Sequence, residues 1–348
     1  MIIGANLLPA LVTALFCAAA TWMLLPPLIR RLVRSRMLDE PGERSNHEMP
    51  TPRGGGLAIV APLAVAWAEL NLLMATGAAG WAALAGFVLL AFVSWRDDRS
   101  PQPVALRLAA QALAVVLPLA LLPDSLRILP EAVPVAAERI AIAFAWVWFV
   151  NLYNFMDGLD ALAAGQAVTA AAGALLVLAL AGMPAAFAVA PPLAAGLAAG
   201  ALAFLPRNWP PARVFLGDVG SIPLGYLLAW LLLALAYAGH AVPALILPLY
   251  FVFDATFTLL SRLLRGASVF DAHSEHLYQR ARRGGKSHLW VTVRALAANV
   301  LFAGLAVLAV RFPFSALLAA SPVLAGLAAI YLCAARTRPV STDRLGRP

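Results

Sequence analysis

The chain has 348 residues, 62% of them hydrophobic and 12% charged, with a mean hydropathy of +0.84 and a formal net charge of +8. This mix excludes an ordinary soluble domain. The charge does not point to nucleic acid, because the basic residues sit at the ends of apolar runs, where they meet anionic lipid headgroups.

Repeated apolar runs of about 20 residues, each long enough to cross a bilayer, predict an all-α polytopic membrane protein. In chain order the expected spans are 6–29, 54–75, 79–95, 104–123, 137–153, 161–182, 184–205, 219–238, 241–264, 289–310 and 312–335. The fifth begins near Glu138 and Arg139, so ten spans is the alternative to eleven. The first reads as a retained span rather than a cleaved signal, since Ala18-Ala19-Ala20 is followed by more apolar residues and then Arg30-Arg31. With eleven spans and a periplasmic N-terminus, every Lys and Arg except Arg127, Arg139 and Arg311 falls on one side. The positive-inside rule makes that side cytoplasmic, with the C-terminus on it. Residues 1–335 read as one membrane domain and 336–348 as a short basic tail. Cys17 and Cys333 lie within apolar runs and predict neither a disulfide nor a thiolate metal site.

Most acidic residues gather in five loops on the cytoplasmic side. The first, from Asp39 to Gly56, contains Pro50-Thr-Pro-Arg53-Gly-Gly-Gly. Three glycines ahead of a helix allow backbone N–H groups to approach an anion, although a plain turn uses them too. The second carries Asp97-Asp98 with Arg107 nearby. Adjacent carboxylates repel, which suits a divalent cation or a base for phosphate; solvated acids neutralised by arginine are the alternative. The third, Asn151-Leu-Tyr-Asn154-Phe-Met-Asp157-Gly-Leu-Asp160, spaces Asn154, Asp157 and Asp160 three apart, so a helix would put them on one face. Asp160 alone could be an N-cap. The fourth is Phe215-Leu-Gly217-Asp218-Val-Gly220-Ser221, a carboxylate placed either to start a helix or to hold Mg²⁺. The fifth runs from Asp271 through His273 and His276 to Arg280, Arg282, Arg283, Lys286 and His288, a basic setting that favours phosphate over a metal. One acid, Asp254, falls inside a span. Its burial costs roughly 2.5 to 3.5 kcal/mol, so it should face the interior with a partner, Arg262 and Arg265 being candidates.

In this order, Pro50-Thr-Pro-Arg53-Gly-Gly-Gly, Asp97-Asp98, Asn154-x-x-Asp157-Gly-x-Asp160, Phe215-x-Gly-Asp218-x-Gly-Ser221, Asp254 and His273-x-x-His276 resemble the polyprenyl-phosphate N-acetylhexosamine-1-phosphate transferases. The resemblance covers nearly the whole chain. It implies an active site of cytoplasmic loops in a bacterial plasma membrane and allows a homodimer. It further implies Mg²⁺, with Mn²⁺ as a substitute, a UDP-N-acetylhexosamine donor and undecaprenyl phosphate as acceptor. UMP would leave, and the lipid-linked sugar would start a surface polysaccharide such as O-antigen or capsule. By position, Asp218 and Asn154 would hold the metal with Asp98 close to it, and Asp97, Asp98 and Asp157 would be catalytic. Asp160 would contact uracil, Phe215 would stack on it, and Arg53, Arg107, His273 and His276 would bind phosphate. Direct attack by the lipid phosphate and a covalent aspartyl-phosphate route both remain open. Glu275 and Ala161 depart from the pattern, at positions where a basic or neutral residue and a glycine are expected. A multispan transporter or flippase is the alternative, but transporters place polar groups near the bilayer midplane, often in matched repeats.

Overall fold

The computed structural model describes residues 2–40, 49–268 and 273–336. Residues 41–48 of the first polar loop, Asp271 of the fifth and 337–348 of the expected tail lie outside them. The described chain is helical almost throughout: α1 (Ile2–Arg34), α2 (Leu57–Met74), α3 (Gly77–Arg99), α4 (Val104–Leu121), α5 (Val135–Phe155), α6 (Leu162–Ala181), α7 (Ala190–Asn208), α8 (Asp218–Tyr237), α9 (Ala241–Ile246), α10 (Leu249–Leu264), α11 (Leu277–Arg283), α12 (His288–Leu308) and α13 (Pro313–Arg336). Ten of these, α1 to α8 with α12 and α13, are long and apolar enough to cross a bilayer. The fifth expected span is among them.

The ninth expected span is not one helix. It divides into α9 and α10 at Leu247-Pro248, where proline can neither donate to the helical ladder nor fit beside the preceding turn. The two pieces still run from one end of the bundle to the other: α9 follows the C-terminal end of α8, while α10 ends at Arg262 and Arg265, beside Glu275. The described residues therefore pass between the two ends eleven times, ten times as a continuous helix.

α8 is apolar on every side and nearly all buried, as a helix surrounded by other helices must be. Trp230 at its middle packs against Phe187, Trp146 and Trp67 at ring distances of 4.5, 5.8 and 6.2 Å. The outer helices instead turn large apolar side chains such as Leu8, Trp22, Met23 and Phe314 outward. Lipid is as apolar as these side chains, so the bundle is held by close packing more than by water exclusion.

A close backbone approach joins the start of α2 to α8. A Cβ on Gly56 would lie 2.3 Å from Cα of Gly220, so neither backbone could come this near with a larger residue at Gly56. Short main-chain pairing sets up the approach. Leu38–Asp39 (β1) pairs antiparallel with Thr51–Pro52 (β2), and Phe215 N donates to the Pro52 carbonyl at 2.8 Å. Gly56→Ala should therefore lower thermal stability by about 2 kcal/mol or more in detergent. Gly304→Ala in α12, where an added Cβ meets nothing within 4 Å, should leave it unchanged or higher in the same melting experiment.

Candidate active site

Four polar segments converge where α3 and α5 end and α8 begins. Asp98, in the last turn of α3, has a side chain with 0% exposure. Its two oxygens accept from the Asp218 and Val219 backbone N–H groups at 3.0 and 2.9 Å. These are orphan donors of the first turn of α8, so Asp98 caps a helix from outside it, where the positive end of the helix dipole favours an anion. Gly217, at φ 73°, makes the turn that aims those groups at Asp98.

Arg53 closes the arrangement. Its Nε lies 2.8 Å from Asp98 Oδ1 and its Nη2 2.8 Å from Asp218 Oδ1. Of the two readings of the triglycine segment beside it, the geometry favours the plain turn, because Gly55 N and Gly56 N donate to the carbonyls of Phe215 and Leu216 at 2.9 and 2.8 Å. Phe215 is thus held by its backbone on both sides.

Asn154, in the last turn of α5, donates from Nδ2 to Asp218 Oδ1 at 3.1 Å and to Ser221 Oγ at 2.8 Å. Asp157 follows two residues beyond α5. Burial raises its carboxyl well above the ordinary carboxylate range, and the charges of Asp218 and Asp98 push the same way against Arg53. No described residue donates a hydrogen bond to this carboxylate. Among the described residues no three His, Cys, Asp or Glu side chains form a group that could enclose a metal ion. A Mg²⁺ or Mn²⁺ ion held by one or two carboxylates together with water and substrate phosphates needs no such cage. The uncommitted oxygens of Asp157 and Asp218 are hard donors of that kind, whereas both oxygens of Asp98 already accept from N–H groups.

Asp97 turns away from its neighbour. It accepts from Gln102 N at 2.6 Å and pairs with Arg107 at 3.0 Å, closing the α3–α4 connection. The adjacent carboxylates therefore do not form a joint site, and Arg107 goes with Asp97.

Asp160 also separates from Asn154 and Asp157, because α5 stops at Phe155 and α6 begins only at Leu162. The expected single helical face does not form. Tyr278 OH donates to the Phe155 carbonyl at 2.9 Å and stabilises the break. Nor is Asp160 the N-cap of α6. It accepts from Ala212 N at 2.9 Å and lies 3.1 Å from His288 Nδ1, while its carbonyl accepts from Thr292 Oγ1 at 2.9 Å. The residue before α6 is Ala161, at a left-handed φ of 61°, which explains why glycine suits this position. Thr292 and Asn208 escaped the sequence reading, which places His288 in a basic phosphate-binding loop and not as a partner of Asp160. Asn208 accepts from Ala161 N and donates to the Val214 carbonyl at 3.0 and 2.9 Å, and its one signal was an amide at the end of an apolar run.

His273 and His276 stand with ring centroids 5.0 Å apart, ahead of α11 rather than on a helical face. His276 is buried against Phe155 and Tyr278. Asp254 does not pair with Arg262 or Arg265. It accepts from Leu277 N and Tyr278 N at 2.8 and 3.3 Å and from Tyr250 OH at 3.2 Å, so it caps α11 from inside the bundle. Both arginines go to Glu275 instead, which accounts for an acid at that position. Burial, then the charges of His276 and Arg262, lower the His273 pKa to about 4. Its Nδ1 accepts from Glu275 N at 3.3 Å, which leaves the Nε2–H as the group it offers. His273 therefore brings a hydrogen bond at neutral pH and not a positive charge.

The glycosyl transferase family 4 model matches residues 80–236, a stretch that includes Asp97, Asp98, Asn154, Asp157, Asp160 and Asp218. A Mycobacterium tuberculosis (strain H37Rv) protein named decaprenyl-phosphate N-acetylglucosaminephosphotransferase is 30% identical over 311 residues, 77% of each chain. The chain belongs to this family. A Bacillus subtilis (strain 168) protein named as a probable undecaprenyl-phosphate N-acetylglucosaminyl 1-phosphate transferase is 27% identical over 291 residues, 80% of this chain and 79% of its own. A shorter segment of 78 residues is 50% identical to a phospho-N-acetylmuramoyl-pentapeptide-transferase of Chlamydia trachomatis, covering 22% of this family 4 chain and 23% of the relative.

Two measurements check this geometry. Arg53→Met leaves the buried Asp98 without its cation and should cost about 3 kcal/mol of stability in a thermal melt, with Arg53→Lys falling between. For His273, a folded-state pKa of about 4 lies below the ordinary 6.5, so the unfolded chain binds more protons between those values. Stability should then fall as pH drops from 6.5 towards 4, and His273→Gln should flatten that slope.

Proposed function

We propose that this protein transfers N-acetylhexosamine 1-phosphate from a UDP-sugar to undecaprenyl phosphate, releasing UMP at the cytoplasmic face of a bacterial plasma membrane. The observation that carries this reading is the meeting of Asp157 and Asp218 beside Arg53 and Asn154 at one end of an apolar bundle. The names of the family 4 relatives supply the substrate classes. Among the described residues that end also gathers every Lys and Arg except Arg127, Arg139 and Arg311, which supports a cytoplasmic orientation. Polar groups crowded at one end, in a member of a transferase family, argue against a transporter.

In the reaction a phosphate oxygen of the carrier lipid attacks the β-phosphorus of the donor. The bond from that phosphorus to the oxygen bridging to the α-phosphorus breaks, and UMP departs with that oxygen. Several anions must be brought together, so the site needs positive charge and fixed donors more than covalent chemistry. Asp218, with Asn154 beside it, would hold Mg²⁺ or Mn²⁺, which neutralises phosphate oxygens when bound. Arg53 keeps Asp218 oriented and offers its remaining N–H groups to phosphate. Asp98 acts beneath it as the group that positions the start of α8.

Asp157, whose carboxylate accepts no hydrogen bond from a described residue and stands beside Asp218, is the group assigned here to orient the lipid phosphate or receive its proton. Direct attack is the route proposed. His273 donates a neutral hydrogen bond to a donor phosphate, with His276 packed behind it. Asp160 and Phe215, near the α7–α8 connection, face the uracil, and Asp160 is kept in place by Ala212 and His288. The product would begin a surface polysaccharide, with O-antigen or capsule favoured by the His273-Ser-Glu-His276-Leu-Tyr-Gln pattern.

The test is UMP release by the purified protein in detergent, across a panel of UDP-N-acetylhexosamines headed by UDP-N-acetylglucosamine. Release should require both undecaprenyl phosphate and Mg²⁺, and Asp157→Asn and Asp218→Asn should each lower it by roughly 10² to 10⁴-fold. Asp97→Asn, which loses a partner of Arg107 outside the cluster, should cost far less. Turnover by folded Asp157→Asn within a few-fold of the parent would sink the role given to that residue.

A further inference from the structure

A cavity of about 360 Å³ opens between the C-terminal half of α10 and the last turn of α11. It is separate from the Asp218 cluster. Thr256 of α10 meets Trp148 of α5, Nε1 to Oγ1 at 3.4 Å, and helical periodicity puts Ser261 and Arg265 on the opposite flank. The cavity lies on that flank, lined by Arg265, Arg280 and Arg283 with Glu275, Ser261 and Thr258.

The charges do not balance. Glu275 answers Arg265 at 2.5 Å and Arg262 behind it, so one carboxylate serves two guanidiniums. Arg280 and Arg283 stand three apart on one face of α11, and their side chains have no ion-pair or hydrogen-bond partner among the described residues. Basic residues in the last turn of a helix favour its carbonyl end, but that does not explain why they share a polar cavity with Arg265 of another helix. Guanidinium forks beside the Ser261 hydroxyl form a donor set suited to phosphate oxygens, while the buried Thr258 hydroxyl donates to Asp254 at 3.4 Å. Next to the cavity α10 exposes Phe257 (43%), Leu260 (52%) and Leu264 (88%). An anionic site and a lipid-facing apolar strip thus adjoin at one end of a membrane bundle.

We propose that this cavity binds the anionic phosphate head group of a bilayer lipid, with the acyl chain against Phe257, Leu260 and Leu264. The inference is independent of the reaction at Asp157 and Asp218.

The experiment is native mass spectrometry of the full chain in non-ionic detergent after incubation with phosphatidylglycerol, phosphatidylcholine or inorganic phosphate. The phosphatidylglycerol adduct should fall roughly tenfold in Arg280→Gln/Arg283→Gln, whose side chains are exposed and unpaired and so not needed for folding. It should rise in Glu275→Gln, which releases Arg265, while the phosphatidylcholine adduct stays the same in both variants. Equal retention of phosphatidylglycerol by the parent and the double variant would overturn the proposal. Displacement of phosphatidylglycerol by inorganic phosphate would also overturn it, because the cavity would then take free phosphate and not a lipid.

Discussion

A carboxylate with no exposed surface has to find its hydrogen-bond donors inside the protein, and Asp98 finds them in the first turn of a helix 120 residues further along the chain. Much else follows from that contact. α8 is the most enclosed helix of the bundle, so fixing its first turn fixes Asp218 and Ser221, and through them the amide of Asn154. Arg53 supplies the charge that two neighbouring carboxylates and one helix dipole cannot balance between themselves. Removing it would leave a buried anion, which costs far more than an exposed ion pair contributes.

The same device appears at the fifth polar loop. Asp254 caps α11 from within the bundle much as Asp98 caps α8. In both places a short helix start is aimed by a carboxylate that belongs to a different helix, and in both an arginine pairing stands nearby. The difference lies in what remains over. Around Asp98 the surplus is negative, in the unmet carboxylate of Asp157. Around Asp254 the surplus is positive, in Arg280 and Arg283.

Much of this was legible in the sequence, for physical reasons. Apolar runs mark membrane helices because lipid tolerates little else, and clusters such as Asn154-x-x-Asp157 stand out because an apolar chain has few other uses for acids. Reading beyond that depended on assuming that helices continue through the polar clusters. They do not: α5 stops at Phe155, α11 starts after His276, and Pro248 divides the ninth span. The break after α5 sends Asp157 and Asp160 in different directions, whereas Asp97 and Asp98 part because consecutive residues of one helix, α3, point about 100° apart. Their partners, among them Gln102, Ala212 and His288, are mostly backbone groups or residues from distant segments, and local spacing carries no trace of them.

The reach of the Asp98 contact also has a bearing on how the chain is made. At about 5 to 20 residues per second, a ribosome needs roughly 6 to 24 s to travel from Asp98 to the backbone groups that will cap it, 120 residues later. Throughout that interval the Asp98 carboxylate has Arg53, already synthesised, but lacks the two backbone donors at the start of α8. The arrival of α8 at the centre of the bundle is therefore the event that joins Arg53, Asp98 and Asn154 around one carboxylate, and a chain truncated before Asp218 would keep its earlier spans and the Asp97–Arg107 pair while lacking that cluster.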